Sequence, residues 1–81
     1  MTRTYQYTVN FEQDEDGVYI ATVPALPGCH SFGRTLDEAE KNIQEAIEGH
    51  LEARLKAGDP IPIEEAPSVP LSKPIQVSLS A

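Results

Sequence analysis

The sequence predicts an α+β domain of order β-β-β-α-β. Three observations carry that prediction. Residues 4–11 alternate polar and apolar and lead through an Asp-Gly turn into a second β-rich run. A single amphipathic helix pattern has a cap at its start and another at its end. A proline-rich stretch then leads to one last alternating segment.

Tyr5, Tyr7, Val9 and Phe11 fall on one side of the first strand, and Thr4, Gln6, Thr8 and Asn10 on the other. Such alternation of good β-formers describes a half-buried strand. Asp14-Glu15-Asp16-Gly17 supplies the left-handed positions of a tight hairpin. The returning strand, Val18 to Val23, is apolar on both faces, which places it centrally in its sheet. Pro24 and Pro27 stop it, and Gly28 permits the turn that follows. Cys29 to Phe32 forms a short third strand that Gly33 ends.

Thr35 reads as a helix N-cap, with Glu38 three residues on completing a capping box. Leu36, Ala39, Ile43, Ala46, Ile47, Leu51 and Leu55 recur at three- and four-residue steps and form one stripe. Arg54 and Lys56 suit the negative end of the helix dipole, and Gly58 suits a left-handed C-cap. The helix is predicted from about Leu36 to about Lys56. Residues 59–74 carry five of the seven prolines and read as an extended connector. Ile75, Val77 and Leu79 alternate with Gln76, Ser78 and Ser80 as the closing strand.

The expected sheet is a three-stranded antiparallel meander plus a fourth strand, parallel to the first through a right-handed crossover. The helix stripe covers one sheet face and leaves the other partly bare. Residues 1–81 are expected to make one domain, with no C-terminal DNA-binding domain. A core this small gains from self-association, so a dimer or tetramer is expected.

Thirteen acidic residues against six basic ones give a net charge of −7. That balance disfavours direct nucleic-acid binding, which needs cations against phosphate, and suits a basic partner. One cysteine, Cys29, makes neither an internal disulfide nor a multi-thiolate metal site, and fits a reducing, cytoplasmic setting. No run reaches the length of a membrane span.

Chemical vocabulary is sparse. Asp14, Glu15 and Asp16 are adjacent turn residues that point apart, so a solvated tip explains them better than converging metal ligands. Second to that comes an acidic contact for a basic partner. Cys29 and His30 are neighbours in a strand and face opposite sides, which separates a would-be nucleophile from its base. Packing suits Cys29, and His50 borders the buried stripe. The acidic helix face, including Glu40, Glu45, Glu48 and Glu52, reads as solvated surface. No catalytic residues, metal site, cofactor or small-molecule substrate are expected.

Leu26-Pro27-Gly28-Cys29, then Gly33-x-Thr35, then Glu38-Ala39 and Glu45-Ala46, resemble the N-terminal domain of HicB-type antitoxins. The resemblance covers about Tyr5 to Ile63. It implies a partial ribonuclease H-like fold without ribonuclease activity. It also implies a role: binding and inhibiting HicA, a small basic mRNA-cleaving toxin. Candidate contacts are Asp14, Glu15, Asp16, Ala25, Leu26 and His30. Leu26, Pro27, Gly28, Cys29, Gly33, Thr35, Glu38 and Ala39 form the structural motif. The alternative is an orphan structural or regulatory module of the same family with no toxin.

Overall fold

The computed structural model describes residues 2–63 and 72–80. Its elements are β1 (Thr2–Gln13), β2 (Tyr19–Thr22), β3 (His30–Gly33), α1 (Leu36–Ala57) and β4 (Ser72–Ser80). The predicted order therefore holds, and the strands form one sheet in the order β3-β2-β1-β4. β2 lies inside the sheet, as its two apolar faces require.

One expectation is overturned. β4 pairs with β1 antiparallel, not parallel, from Asn10 opposite Ser72 to Thr2 opposite Ser80. The physical reason is where the chain stands after the helix. α1 starts beside the Gly33 end of β3, and beyond its C-terminus the chain lies at the level of Tyr7, whose hydroxyl donates to Pro62 O at 2.6 Å. A short crossover from there would enter the sheet at its lower end and run parallel to β1. The chain instead enters β4 at its Asn10 end, a return that only a long connector permits. The strand then matches nearly the whole of β1 in an antiparallel ladder.

β4 also begins earlier than the alternating residues suggest and includes Pro74, opposite Thr8. β4 is an edge strand, so a proline is tolerated there. The ladder alternation turns its missing donor to the open side.

α1 is specified at both ends as the sequence predicts. Thr35 is extended (φ −126°), and its hydroxyl accepts from the Glu38 amide at 3.0 Å. The Glu38 carboxylate reaches back one residue further than in the usual capping box and accepts from the Arg34 amide at 3.1 Å. At the other end Gly58 sits at φ +76°, and the Asp59 amide donates to Arg54 O at 2.9 Å. That is a Schellman-type closure. The Arg54 guanidinium then holds the exit: Nε donates to His50 Nε2 at 2.9 Å and Nη1 to Pro60 O at 3.1 Å.

The helix packs on the inner sheet face. Ala39, Ile43, Ile47 and Leu51 meet Tyr7, Val9, Phe11, Ala21, Ile75 and Val77 in the core. The stripe is shorter than predicted, because Leu36 and Leu55 are 46% and 44% exposed. α1 comes closest at Gly33. A β-carbon there would overlap the Ala39 amide nitrogen and lie 2.8 Å from the Glu38 carbonyl carbon and 2.9 Å from Ala39 Cα. All three neighbours are backbone atoms in the first turn of the helix, so nothing can rotate away.

Candidate partner interface

The hairpin tip is built around Asp14. Its Oδ1 accepts from the amides of Asp16 and Val18, both at 2.9 Å. Its own amide donates to Val18 O at 2.9 Å, and its carbonyl accepts from the Gly17 amide at 3.0 Å. Gly17 occupies φ +84°, and Gln13 Nε2 closes the turn onto Gly17 O at 3.2 Å. Asp14 is thus an Asx-turn residue whose carboxylate serves its own backbone. Glu15 and Asp16 remain exposed at the apex.

The Pro24–Cys29 loop is a set of nested turns. The Leu26 amide donates to Val23 O at 3.0 Å, Cys29 N to Leu26 O at 2.9 Å and Val23 N to Cys29 O at 3.2 Å. Gly28 supplies φ +88°. The turns drive the Leu26 side chain into the core, where none of its surface is exposed. Leu26 therefore presents no side-chain surface to a partner in this fold. Ala25 is half-buried, and His30 is exposed with Nδ1 3.2 Å from Gly28 O. Pro27 lies on the exposed outer turn of the loop.

Cys29 and His30 face opposite ways, as strand geometry requires: the thiol is buried and the imidazole exposed. Burial pushes the Cys29 thiol above its ordinary value of 9.0. A protonated, enclosed sulfur is a poor nucleophile. The unfolded thiol ionises as pH rises past its ordinary value, whereas the folded one keeps its proton. The stability this contributes is complete below that value and falls as pH climbs toward the folded one. In denaturant titrations above pH 9.0, wild type should therefore lose stability faster than Cys29→Ala. Parallel curves would show that the thiol ionises freely in place.

The candidate contacts do not form one patch. The acidic tip stands at the β1–β2 end of the sheet and the Pro24–His30 loop at the β2–β3 end. The length of β2, Tyr19 to Thr22, separates them, roughly 10 Å for three residue steps. The outer sheet face connects the two ends. There Ile20 pairs with Phe32 and with Glu12, and Thr22 pairs with His30 and with Asn10. Phe32 is 66% exposed. Sequence alternation pointed to a bare face, but only the register identifies Ile20 and Phe32 as neighbours on it. Among the described residues, no three His, Cys, Asp or Glu side chains are placed to share a metal ion. No described helix is long and apolar enough to cross a membrane.

Residues 7–74 match the profile of the family described as HicB_like antitoxin of bacterial toxin-antitoxin system. The chain belongs to the HicB-like antitoxin family. A UPF0150 protein of Thermoplasma acidophilum is 45% identical over 64 residues, covering 79% of this chain and 93% of the relative. A Synechocystis UPF0150 protein is 47% identical over 68 residues, covering 84% and 86%. Among solved structures, the N-terminal domain of Burkholderia pseudomallei antitoxin HicB superposes with a TM-score of 0.70 at 31% identity, covering 94% of this chain and 99% of that domain. The HicB-like chain also spans 62% of the longer Burkholderia pseudomallei HicB. A chain of the HicA3 and HicB3 toxin-antitoxin complex shares the fold, with a TM-score of 0.57 at 23% identity.

Proposed function

We propose that this protein is a non-catalytic antitoxin of the cytoplasm that neutralises a small basic HicA-type mRNA-cleaving toxin by protein–protein contact. Membership of the HicB-like antitoxin family carries the reading. The charge supports it: a chain of net charge −7 attracts a basic ribonuclease and repels the RNA it would otherwise compete for. The fold also occurs in a chain of the HicA3–HicB3 complex.

Glu15 and Asp16 are the first landing point for such a toxin, held outward by the turn that Asp14 closes. Ala25 and His30 lie on the loop at the far end of β2 and serve as a second contact for a partner long enough to reach both. The decisive experiment mixes the protein with the HicA-type toxin encoded beside it and follows RNA cleavage. Suppression at one-to-one stoichiometry is expected. Absence of any complex at low salt would sink the reading and favour an orphan member of the family.

The tip makes a finer prediction. Rim charges act mainly on association rate and its salt dependence. Reversing both, as Glu15→Lys with Asp16→Lys, should slow association about tenfold at low salt and flatten the salt dependence. Stopped-flow mixing reads both quantities. An unchanged rate would move the landing point to the acidic face of α1.

A further inference from the structure

We propose that the Asp16–Gly17 link at the hairpin tip is a site of spontaneous isoaspartate formation, and that the turn built on Asp14 sets its rate. The reaction needs an aspartate whose side-chain carbonyl carbon can be reached by the amide nitrogen of the next residue. Asp16 is the one aspartate followed by a glycine. Asp14 and Asp37 precede glutamates, and Asp59 precedes a proline, which has no N–H to offer. Gly17 has no β-carbon to obstruct the approach. Asp16 is exposed at the apex, so water reaches both the carboxyl group and the ring it would form.

The chemistry requires only water. The Gly17 nitrogen attacks Cγ of the protonated Asp16 carboxyl group, and an N–Cγ bond forms. The amide proton and the carboxyl hydroxyl leave together as water, which closes a five-membered succinimide. Water then adds to one of its two carbonyls. Addition at Cγ breaks the new bond and restores aspartate. Addition at the backbone carbonyl carbon breaks the original peptide bond, and the chain thereafter runs through Cγ as isoaspartate. One water leaves and one returns, so the composition and the number of carboxylates are unchanged.

The folded turn opposes the first step. The Gly17 amide donates to Asp14 O at 3.0 Å, a bond that retains the proton the nitrogen must lose and fixes the plane of the Asp16–Gly17 peptide. Asp14 Oδ1 accepts from the amides of Asp16 and Val18, both at 2.9 Å, so the backbone is pinned on either side of the reacting link. Gln13 Nε2 holds Gly17 O at 3.2 Å. Ring closure has to wait for the turn to open, and its rate follows the open fraction. Once formed, isoaspartate inserts one extra backbone atom between Asp16 and Gly17. The bonds from Asp14 to Asp16, Gly17 and Val18 bracket that insertion, and the ladder resumes at once with Gln13 opposite Tyr19. The turn therefore cannot re-form with all its bonds, and the apex carboxylate is displaced. The inference does not depend on the toxin reading and holds equally for an orphan member of the family.

The test follows the full chain over time at physiological temperature and neutral pH. Isoaspartate is counted by methyl transfer from S-adenosylmethionine with a protein isoaspartyl methyltransferase, and located by peptide mapping. The chain denatured in guanidinium should convert fastest, and at Asp16. Folded wild type should convert at the same residue about tenfold more slowly or less. Asp14→Ala removes both Oδ1 bonds and should convert about tenfold faster than folded wild type. Asp14→Asn keeps an Oδ1 acceptor and should return to the wild-type rate. Melting curves of both variants establish that the comparison is made on folded protein. Folded wild type that converts as fast as the denatured chain, or folded Asp14→Ala that converts no faster than wild type, overturns control by the turn. A denatured chain that gains no isoaspartate at Asp16 overturns the site itself.

Discussion

Gly33→Ala is expected to lower the thermal midpoint by about 12 °C or more. The added methyl group meets the backbone of Glu38 and Ala39, not a side chain that could swing aside. Overpacking against yielding neighbours costs about 1–3 kcal/mol, and rigid helix backbone puts this site at or above the upper end. In a domain of this size each kcal/mol moves the midpoint by about 4–8 °C. Relief requires α1 to lift from β3, which would strain the Thr35 cap and the Asn42–Phe32 bond together. Gly49→Ala is the matched control. Nothing lies within 4 Å of the added carbon, the residue is exposed, and alanine favours the helix by about 0.5–1 kcal/mol. Opposite shifts from the two glycines are the expected result. A Gly33→Ala protein that melts with wild type would refute the close approach.

Leu26→Ala should cost about 2–5 kcal/mol, the range for emptying a fully buried leucine site. Its side chain has no exposed surface and is held by three nested backbone turns. Any toxin inhibition should fail with it, through loss of the fold. His30→Ala, four residues away and exposed, should leave the melting curve unchanged. Chemical denaturation of both variants, run beside the ribonuclease assay, separates the two causes. If Leu26→Ala kept full stability and lost only inhibition, Leu26 would be a contact after all.

These residues also show how far the sequence could be read. Thr35, Glu38 and Gly58 act locally, through bonds spanning a few residues, so the helix ends were legible from composition and spacing. The same holds for the Asp14–Gly17 turn and the alternation of β1. Gly33 reads as a strand terminator in the sequence, because the constraint on it comes from a helix that docks only in three dimensions. Leu26 reads as part of a surface loop, because two prolines and a glycine surround it and its inward turn depends on the backbone bonds. The direction of β4 was not legible at all. It depends on where the chain stands after a long connector, and alternation is the same in either direction. The split of the candidate contacts between two ends of the sheet likewise follows from register, which no single strand encodes.

The pairing of β1 with β4 has a consequence in time. Asn10 must wait for Ser72, and Thr2 for Ser80. At roughly 5–20 residues per second, the ribosome takes about 3–16 s to supply those partners. During that interval β2, β3 and the helix are available, but the first half of β1 has no strand beside it on the β4 side. A newly made chain therefore passes through a stage with an adhesive ribbon at its start, and closes it only when residues 72–80 emerge.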